Sequence, residues 1–341
     1  MMALDRRRFV TALAASAGLW ACAARRGSSS GAVEWNGFAP IGGIDQWISI
    51  RGNSAHNPVL LFLHGGPGEA LSPFPEIFAP LRENFTVAVW DQRGAGKTFG
   101  AHHSDASEMT LERLVADTAE IAEMLKQRLG KRRIVLAGQS WGTVLGLNTV
   151  RAHPELFSAY VGTGQAVSWS RAVPIQERYA RAKAEAAGDT QALQDLAAAQ
   201  RLPLSDMART APLRRWIFPP ADTAFLDRER AFVGPQPPAS GPIADWVNGF
   251  GFSAGALTPY VLAFDGDEVA RNIEIPIVII QGRDDHITPF ELAAQFEAKL
   301  RTRSNAFVAI DGGHFACYTN AAALAQALTD HVSPLARQVR G

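Results

Sequence analysis

The sequence predicts an α/β protein in which helices cover both faces of a mostly parallel, doubly wound β-sheet. Short, continuous apolar runs recur along the chain, and such runs are typical of strands that are buried on both faces. Amphipathic helical patterns separate these runs, as they do in doubly wound sheets. The alternation stops between residues 166 and 270, which are rich in Ala, Arg and Pro. We interpret residues 166–270 as a mainly helical insertion over one edge of the sheet, which we call the cap.

Six apolar runs bounded by turn residues are the predicted strands of this sheet. They lie at Val59 to Leu63, Thr86 to Trp90, Ile134 to Ala137, around Tyr160 and Val161, at Ile277 to Ile280 and at Ala306 to Ile310. Helices are predicted between them at residues 110–129, with Thr110 as the N-cap, and at 141–152, 291–300 and 321–332. Within the cap a helical pattern extends through residues 176–200. The core then consists of a first part, residues 34–165, and a second part, residues 271–341.

The composition is that of an ordinary globular protein, with 47% hydrophobic and 19% charged residues. The 33 basic residues balance the 33 acidic ones, and no basic patch with interleaved aromatics occurs, so no nucleic-acid partner is expected. The stretch GAGKT at 94–98 resembles the end of a phosphate-binding loop, but Asp91 occupies the position of its first glycine. No Cys/His spacing indicates a metal site. We therefore expect neither a metal nor a cofactor.

The N-terminus predicts export from a bacterial cell. Arg6, Arg7 and Arg8 precede a short apolar run, which is the organisation of a secretory signal. The adjacent arginines resemble a twin-arginine signal, and the run is short for a membrane span. We predict a signal peptide at residues 1–24 and a polar linker at residues 25–33, which places the protein in the periplasm. The alternative is a frayed N-terminal helix on a cytoplasmic protein.

Cys22 is a candidate site of lipidation within this signal. It follows Leu19, Trp20 and Ala21, a context that resembles the lipobox of bacterial lipoproteins, although small residues are usual where Trp20 stands. Acylated Cys22 would anchor the protein to a membrane. Ordinary cleavage near Ala23 or Ala24 is the open alternative. Either outcome leaves Cys317 as the only cysteine of the folded part.

Two pentapeptides fit the pattern G-x-S-x-G, which marks a nucleophilic serine on a sharp turn from a strand into a helix. They are GQSWG at 138–142 and GFSAG at 251–255. Ser140 follows a predicted buried strand and precedes a predicted helix, where backbone N–H groups favour developing negative charge. Ser253 follows no such strand, and Pro259 disfavours a helix after it. We select Ser140 as the nucleophile and interpret GFSAG as a flexible turn in the cap.

A serine nucleophile requires a base and a carboxylate that orients the base. On this kind of turn the acid follows the serine along the chain and the histidine comes last. The strand ending near Ile280 is followed by Asp284 and Asp285, and the final strand is followed by His314. His314 is therefore the predicted base, the alternative being a structural turn histidine. Their position in the sequence alone does not decide whether Asp284 or Asp285 is the carboxylate that orients the base.

HGGPG at 64–68 follows the first of the predicted buried strands. Its glycines allow the backbone to turn towards the serine, where one backbone N–H can complete an oxyanion hole together with the residue after the nucleophile. We assign the two donors to Gly66 and Trp141. The alternative is a Gly/Pro turn with no catalytic role.

Five motifs together resemble the α/β-hydrolase superfamily and, within it, the proline iminopeptidase family of serine aminopeptidases. They are HGGPG at 64–68, DQRGAGKT at 91–98, GQSWG at 138–142, GRDDHITP at 282–289 and GGHF at 312–315. The resemblance covers roughly residues 40–165 and 271–335 and implies the α/β-hydrolase fold. It also implies that Asp285 is the acid, with Asp284 at the variable position of the motif, and that Asp91 and Arg93 are structural.

The resemblance implies an aminopeptidase that releases N-terminal proline or a small residue through a Ser-His-Asp triad. Members of that family hold the substrate's amino group with acidic cap residues, commonly a glutamate after a tryptophan, and this cap has no such pair. Asp245, Trp246 and Glu177 are the candidate substrate-binding residues. One alternative is an esterase or amidase on small hydrophobic substrates, for which aromatic cap residues would line the pocket. The other is a non-catalytic binding protein on the same fold.

Overall fold

The computed structural model describes residues 31–337. The predicted signal peptide, Cys22 and residues 25–30 of the predicted linker lie outside the described residues. Within residues 31–337, no helix combines the length and the apolar character needed to cross a membrane.

Eight strands form one mixed sheet in the described chain. They are β1 (Val33–Ile41), β2 (Ile44–Gly52), β3 (Val59–Leu63), β4 (Thr86–Trp90), β5 (Ile134–Ser140), β6 (Phe157–Gln165), β7 (Ile277–Gly282) and β8 (Asn305–Ile310). The order across the sheet is β1-β2-β4-β3-β5-β6-β7-β8. β1 pairs antiparallel with β2, and β2 with β4, while every other pair is parallel. The prediction of a mostly parallel sheet is confirmed.

The first two strands form an antiparallel hairpin that the sequence analysis does not predict. In β1, half-buried and exposed positions alternate for most of its length, because one face of this edge strand is open to solvent. β2 alternates buried and half-buried positions in the same way. Neither strand therefore produces the continuous apolar run that identifies the six central strands.

Helices lie on both faces of the sheet and in the cap. Those of the core are α1 (Gly96–Ala101), α2 (Leu111–Leu129), α3 (Trp141–Ala152), α10 (Phe290–Glu297), α11 (Ala316–Thr319), α12 (Ala321–His331) and α13 (Ser333–Arg337). Those between residues 166 and 270 are α4 (Trp169–Ala186), α5 (Thr190–Ala199), α6 (Arg214–Ile217), α7 (Pro220–Val233), α8 (Pro242–Ala263) and α9 (Gly266–Ala270). Thr110 caps α2 as predicted, since its hydroxyl accepts the N–H of Arg113 at 3.1 Å.

The core consists of two apolar layers, one on each face of the sheet. Leu61 and Leu63 of β3 belong to one layer, together with α2, α3 and α10. Leu60 and Phe62 of the same strand belong to the other layer, together with α11, α12 and part of α7. Successive side chains of a strand point to opposite faces, so a strand that is apolar throughout feeds both layers. This is the arrangement of a doubly wound α/β sheet.

The cap contains helices but not the single helix predicted over residues 176–200. Gly188 interrupts it with a positive φ of 66°, and Asp189 then begins α5 by accepting the N–H of Ala192 at 2.9 Å. A glycine in the left-handed conformation followed by an acidic N-cap is a common way to end one helix and begin the next.

The prediction that GFSAG forms a flexible turn is wrong. Ser253 lies in the middle of the 22-residue helix α8 and is buried. Its hydroxyl donates to the carbonyl of Gly94 at 2.8 Å, which joins the cap to the core. The N–H that Pro259 lacks would have bonded to the carbonyl of Gly255, and both residues are on the exposed side of the helix. Packing of the opposite side against the core therefore outweighs the local preference against a helix.

Candidate active site

Ser140 occupies a strained turn between β5 and α3. Its φ of 54° and ψ of −115° make it the only non-glycine residue with positive φ between residues 31 and 337. Such a conformation costs about 1–3 kcal/mol and persists only where the surroundings impose it. A Cβ at position 138 would lie 2.2 Å from the carbonyl oxygen of Gly142, and one at position 142 would lie 2.2 Å from that of Leu63. The glycines of GQSWG are therefore required by close backbone contact.

His314 and Asp285 are brought together from the loops that follow β8 and β7. Nδ1 of His314 lies 3.1 Å from Oδ2 and 3.3 Å from Oδ1 of Asp285. Asp285 also accepts the N–H groups of Ile287 and Thr288, both at 2.9 Å, and the side-chain amide of Gln281 at 2.8 Å. The carboxylate is thus held in place beside the imidazole, which is the geometry that a triad acid requires.

The two neighbouring aspartates occupy different environments. Asp285 is completely buried, whereas Asp284 is exposed to solvent, and its side chain makes no hydrogen bond or ion pair in the described part of the chain. Burial acts to lower the pKa of His314, but the charge of Asp285 and its hydrogen bond, with a smaller contribution from the charge of Asp222, raise that pKa above its ordinary value. The surroundings therefore favour the protonated, imidazolium form of His314.

The two predicted oxyanion donors lie beside Ser140. Gly66, Trp141 and Ser140 all line one cavity, and Trp141 is the first residue of α3, so its N–H has no acceptor within the helix. The indole Nε1 of Trp141 donates to Oε1 of Gln92 at 3.0 Å, and Nε2 of Gln92 donates to the carbonyl of His64 at 3.1 Å. The side chain of Gln92 thus joins the turn that carries Ser140 to the loop that carries Gly66.

His64 is a buried structural residue of the loop HGGPG. Its Nδ1 lies 2.9 Å from the carbonyl of Gly65, and its Nε2 accepts the N–H of Gln92 at 3.2 Å. Burial lowers the pKa of His64 to about 4. The imidazole is therefore neutral at physiological pH and donates from Nδ1 while it accepts at Nε2.

The side chains of Asp91 and Arg93 hold the loops beneath the site. Asp91 accepts the N–H of Ser72 at 3.2 Å and that of Lys97 at 2.9 Å. Arg93 donates from Nε to Asp117 of α2 at 2.8 Å, and both of these side chains are almost completely buried. A buried arginine retains its charge, so it requires such a partner. Neither side chain lines the cavity at Ser140.

The cavity above Ser140 has a volume of about 250 Å³ and a mainly apolar wall. His314 and Phe315 form part of its floor, and cap residues contribute most of the rest. The apolar part of the wall includes Val167, Trp169, Ile217, Phe218, Phe250, Val261 and Leu292. Small-molecule sites commonly combine such a wall with a few polar groups that orient the ligand.

Glu69 is the acidic residue that lines this cavity. It is 8% exposed and follows HGGPG directly. Its carboxyl group lies near that of Glu229 on cap helix α7, and the two groups affect each other's ionisation. Burial raises the pKa of both groups, and for Glu69 the neighbouring charge of Glu229 raises it further. Burial and mutual repulsion therefore favour a state in which at least one of the two carboxyl groups is protonated.

The three substrate-binding candidates from the sequence do not line the cavity in the described chain. Glu177 is paired with Arg209, at 2.7 Å between Oε1 and Nε. The indole of Trp246 is buried between cap and core and donates to the carbonyl of Ala70 at 2.8 Å.

The third candidate, Asp245, lies against the backbone of Gly100. The sequence analysis instead misses Glu69, for which the only local signal is its position directly after HGGPG. It also misses Asp222, which accepts the backbone N–H of His314.

Metal-ligating side chains do not cluster in the described part of the chain. Among residues 31–337, no group of three or more His, Cys, Asp or Glu residues is arranged to hold a metal ion.

Comparison with known proteins identifies the family. The family model for the alpha/beta hydrolase fold matches residues 58–321. A protein of Bacillus subtilis named probable aminopeptidase YbaC is 29% identical over 272 residues, which is 76% of this chain and 84% of that protein. The probable proline iminopeptidase of Streptomyces coelicolor is 36% identical over 127 residues, which is 36% of this chain and 38% of that protein.

Solved structures share the fold over nearly the whole described chain. The proline iminopeptidase-related protein TTHA1809 of Thermus thermophilus superimposes with a TM-score of 0.60 at 21% identity, covering 89% of this chain and 99% of that one. A hydrolase of Pseudomonas aeruginosa gives a TM-score of 0.58 at 20% identity, covering 87% and 98%. At these identities the likeness concerns the fold alone.

Proposed function

Since this chain belongs to the α/β-hydrolase family, we propose that it is a serine aminopeptidase that releases N-terminal proline or another small residue from short peptides. The observation that carries the proposal is the buried carboxyl group of Glu69 in the wall of the cavity that also contains Ser140 and His314, with the half-buried Glu229 next to it. The triad accounts for the cleavage, and the acidic pair accounts for selection of a free amino terminus.

The cleavage follows from the geometry around Ser140. Ser140 attacks the substrate carbonyl while His314 accepts its proton, and His314 then protonates the leaving amine. Asp285 orients the imidazole and stabilises its cationic form. The N–H groups of Gly66 and Trp141 hold the oxyanion, and loss of one such donor typically costs about 3 kcal/mol of barrier. Water then hydrolyses the acyl-enzyme in the reverse sequence of proton transfers.

The acidic pair supplies a site for an ammonium group. When one of the two carboxyl groups is ionised, the pair of Glu69 and Glu229 places one negative charge next to a mainly apolar wall. An isolated buried charge is costly, and an ammonium that donates to these oxygens would compensate it. An N-terminal amine bound at Glu69 would present the first peptide bond to Ser140, because both residues line the same cavity.

The size of the cavity and the relatives support the same activity. A volume of about 250 Å³ suits one small residue better than a long peptide segment. One relative that matches 84% of its own length is named an aminopeptidase, and others that match over shorter segments are named proline iminopeptidases.

The test compares two substrate classes on the purified protein. Wild type, Ser140→Ala and Glu69→Gln are assayed on proline and alanine arylamides and on a short acyl aryl ester that has no amino group. Wild type should hydrolyse the arylamides and Ser140→Ala should be inactive on both classes. Glu69→Gln should raise KM for the arylamides about tenfold or more, because one charged hydrogen bond to the ammonium is lost, and should leave ester hydrolysis within about twofold.

An esterase on small hydrophobic substrates is the second candidate. The apolar, aromatic part of the cavity wall, with Phe218 and Phe250, favours it. Ester turnover without arylamide turnover would contradict the aminopeptidase and support this candidate. If wild type is inactive on every substrate and Ser140 resists a phosphonate label, a non-catalytic binding protein is the better description.

A further inference from the structure

A cap residue holds the loop that carries the catalytic base. Asp222 lies near the start of helix α7 and is completely buried. Its Oδ2 accepts the backbone N–H of His314 at 2.8 Å, and its Oδ1 accepts that of Phe315 at 3.0 Å. Both carboxylate oxygens are therefore engaged by two successive residues of the loop after β8. Each contact spans more than ninety residues of sequence.

Gly313 provides the space for this contact. A Cβ at position 313 would lie 2.4 Å from Oδ2 of Asp222 and 2.4 Å from Cγ of Pro219. Any side chain there would displace the start of α7 from the loop. The second glycine of GGHF is thus explained by the approach of the cap to the backbone before His314.

The loop that carries the acid is attached to the cap as well, through a different helix. The ring of Tyr179 on α4 stacks on His286, with 3.6 Å between ring centroids. Gln176 on the same helix donates to the carbonyl of Ile287 at 2.7 Å. The two loops that meet at the hydrogen bond between His314 and Asp285 are thus each held by a separate cap helix.

We propose that Asp222 is a positioning residue of the catalytic base, through which the seating of the cap on the core fixes the orientation of His314. The inference rests on the serine-hydrolase chemistry proposed above. When α7 is seated, the backbone of His314 is held from the cap while its ring is held by Asp285. When Asp222 is removed or α7 is displaced, the imidazole keeps its hydrogen bond to Asp285. The backbone of His314 is then no longer held by the cap.

The charge of Asp222 also acts on the imidazole. The groups that face the His314 ring are the carboxylate of Asp285, the hydroxyl of Thr288 at 3.3 Å from Nδ1, and the carboxylate of Asp222 beyond the backbone. Asp285 and Asp222 are the carboxylates whose charges raise the pKa of His314, so both favour the imidazolium formed in the reaction. The effect of Asp222 on the reaction is thus geometric and electrostatic together.

The decisive variant is Asp222→Asn, which keeps the size of the side chain but offers only one acceptor oxygen to two N–H groups and has no charge. We expect kcat on a short acyl aryl ester to fall about 10- to 100-fold with KM within about threefold, because a misplaced catalytic group slows the chemical step. The acid limb of the pH profile of kcat/KM should move to lower pH, because the His314 pKa loses a contribution that raises it. Replacement of a purely structural residue would leave the midpoint of this acid limb unchanged.

Two further variants control the test. Ser253→Ala removes another buried hydrogen bond between cap and core, the one to Gly94, and should retain wild-type kcat and the wild-type pH profile. Gly313→Ala leaves Asp222 in the chain but pushes its carboxylate away from the loop, and should reproduce the fall in kcat. It serves as the decisive variant if Asp222→Asn is not folded by circular dichroism at the assay temperature.

The outcomes separate this inference from the proposed function. Wild-type kcat and an unmoved acid limb in the decisive variant would overturn the positioning role, and so would an equal fall in Ser253→Ala. An ester substrate keeps the test independent of whether the natural substrate is a peptide. Wild-type activity in Ser140→Ala would instead overturn the serine chemistry on which both proposals depend.

Discussion

The indole nitrogen of Trp141 donates to the side-chain oxygen of Gln92 at 3.0 Å. The amide of the same glutamine donates to the carbonyl of His64, at the start of the loop that contains Gly66. The two backbone segments assigned to the oxyanion hole are therefore held at a fixed separation by one buried side chain. A preorganised pair of donors stabilises the transition state only if that separation is maintained.

Replacement of Gln92 should therefore impair the chemical step. We expect Gln92→Ala to lower kcat about tenfold or more with little change in KM, since the donors matter most when the oxyanion forms. Steady-state kinetics on the ester or arylamide measures this. Gln92→Glu is the matched control, because it keeps an acceptor for the Trp141 indole and lacks the donor to His64. Wild-type kcat in Gln92→Ala would show that the backbone holds the oxyanion hole unaided.

The two adjacent aspartates should differ sharply in their effect on activity. Asp285→Asn should lower kcat by about 10⁴, because the base loses its orienting carboxylate. Asp284→Asn should remain within about twofold of wild type, because Asp284 is exposed and its side chain makes no hydrogen bond or ion pair in the described chain. Parallel kinetics on both variants checks this. A larger loss in Asp284→Asn would reverse the choice of the acid.

The pH dependence of kcat/KM should reflect His314. The base acts in its neutral form, and the charge and hydrogen bond of Asp285 raise its pKa above the ordinary value of 6.5 despite burial. Activity on the ester should therefore be full above that raised pKa and be lost as pH falls through it. The midpoint of the acid limb should lie above 6.5. A midpoint below 6.5 would contradict the arrangement described here.

The arylamide should show a further effect at low pH. Binding of an ammonium requires a negative charge on the pair of Glu69 and Glu229. Burial raises the pKa of Glu229, so the pair is neutralised at a higher pH than ordinary glutamates would be. KM for the arylamide should rise as pH falls through this range, while KM for the ester should not. Parallel changes in both substrates would argue against an ammonium site.

The buried ion pair beneath the site should be important for stability. Asp117 is completely buried and accepts from Arg93, Arg113 and Gln46. Asp117→Ala leaves the buried guanidinium of Arg93 without this carboxylate, which typically costs about 3–5 kcal/mol. Thermal or urea unfolding measures the loss. Glu120→Ala, which removes an exposed partner of Arg113, should cost less than about 1 kcal/mol.

Local patterns in the sequence predict much of the fold. The six buried strands produce continuous apolar runs because each lies between two layers of helices, and this requires no knowledge of their partners. The turn at Ser140 is equally local, since strand, glycines and helix are adjacent in sequence. The positions of Asp285 and His314 follow from the rule that parallel strands end at one edge of the sheet.

Other parts of the structure depend on contacts between distant segments. The hairpin of β1 and β2 is half exposed and has no continuous apolar run. The segment around Ser253 is helical because one side of α8 packs on the core, against the local preference of its glycines and Pro259. A local pattern cannot report either effect, because both depend on which surface a segment covers.

The sequence by itself determined a doubly wound α/β fold and a sharp strand-to-helix turn at Ser140, because these follow from periodicity and from neighbouring residues. Only the tertiary structure decided how the other acidic residues are arranged. It placed Glu69 beside Glu229 and Asp222 under His314, and it put Asp285, the acid that the family resemblance implies, next to the imidazole. An isolated carboxyl group has the same local signature wherever it stands, so its role depends on burial and on partners from far along the chain.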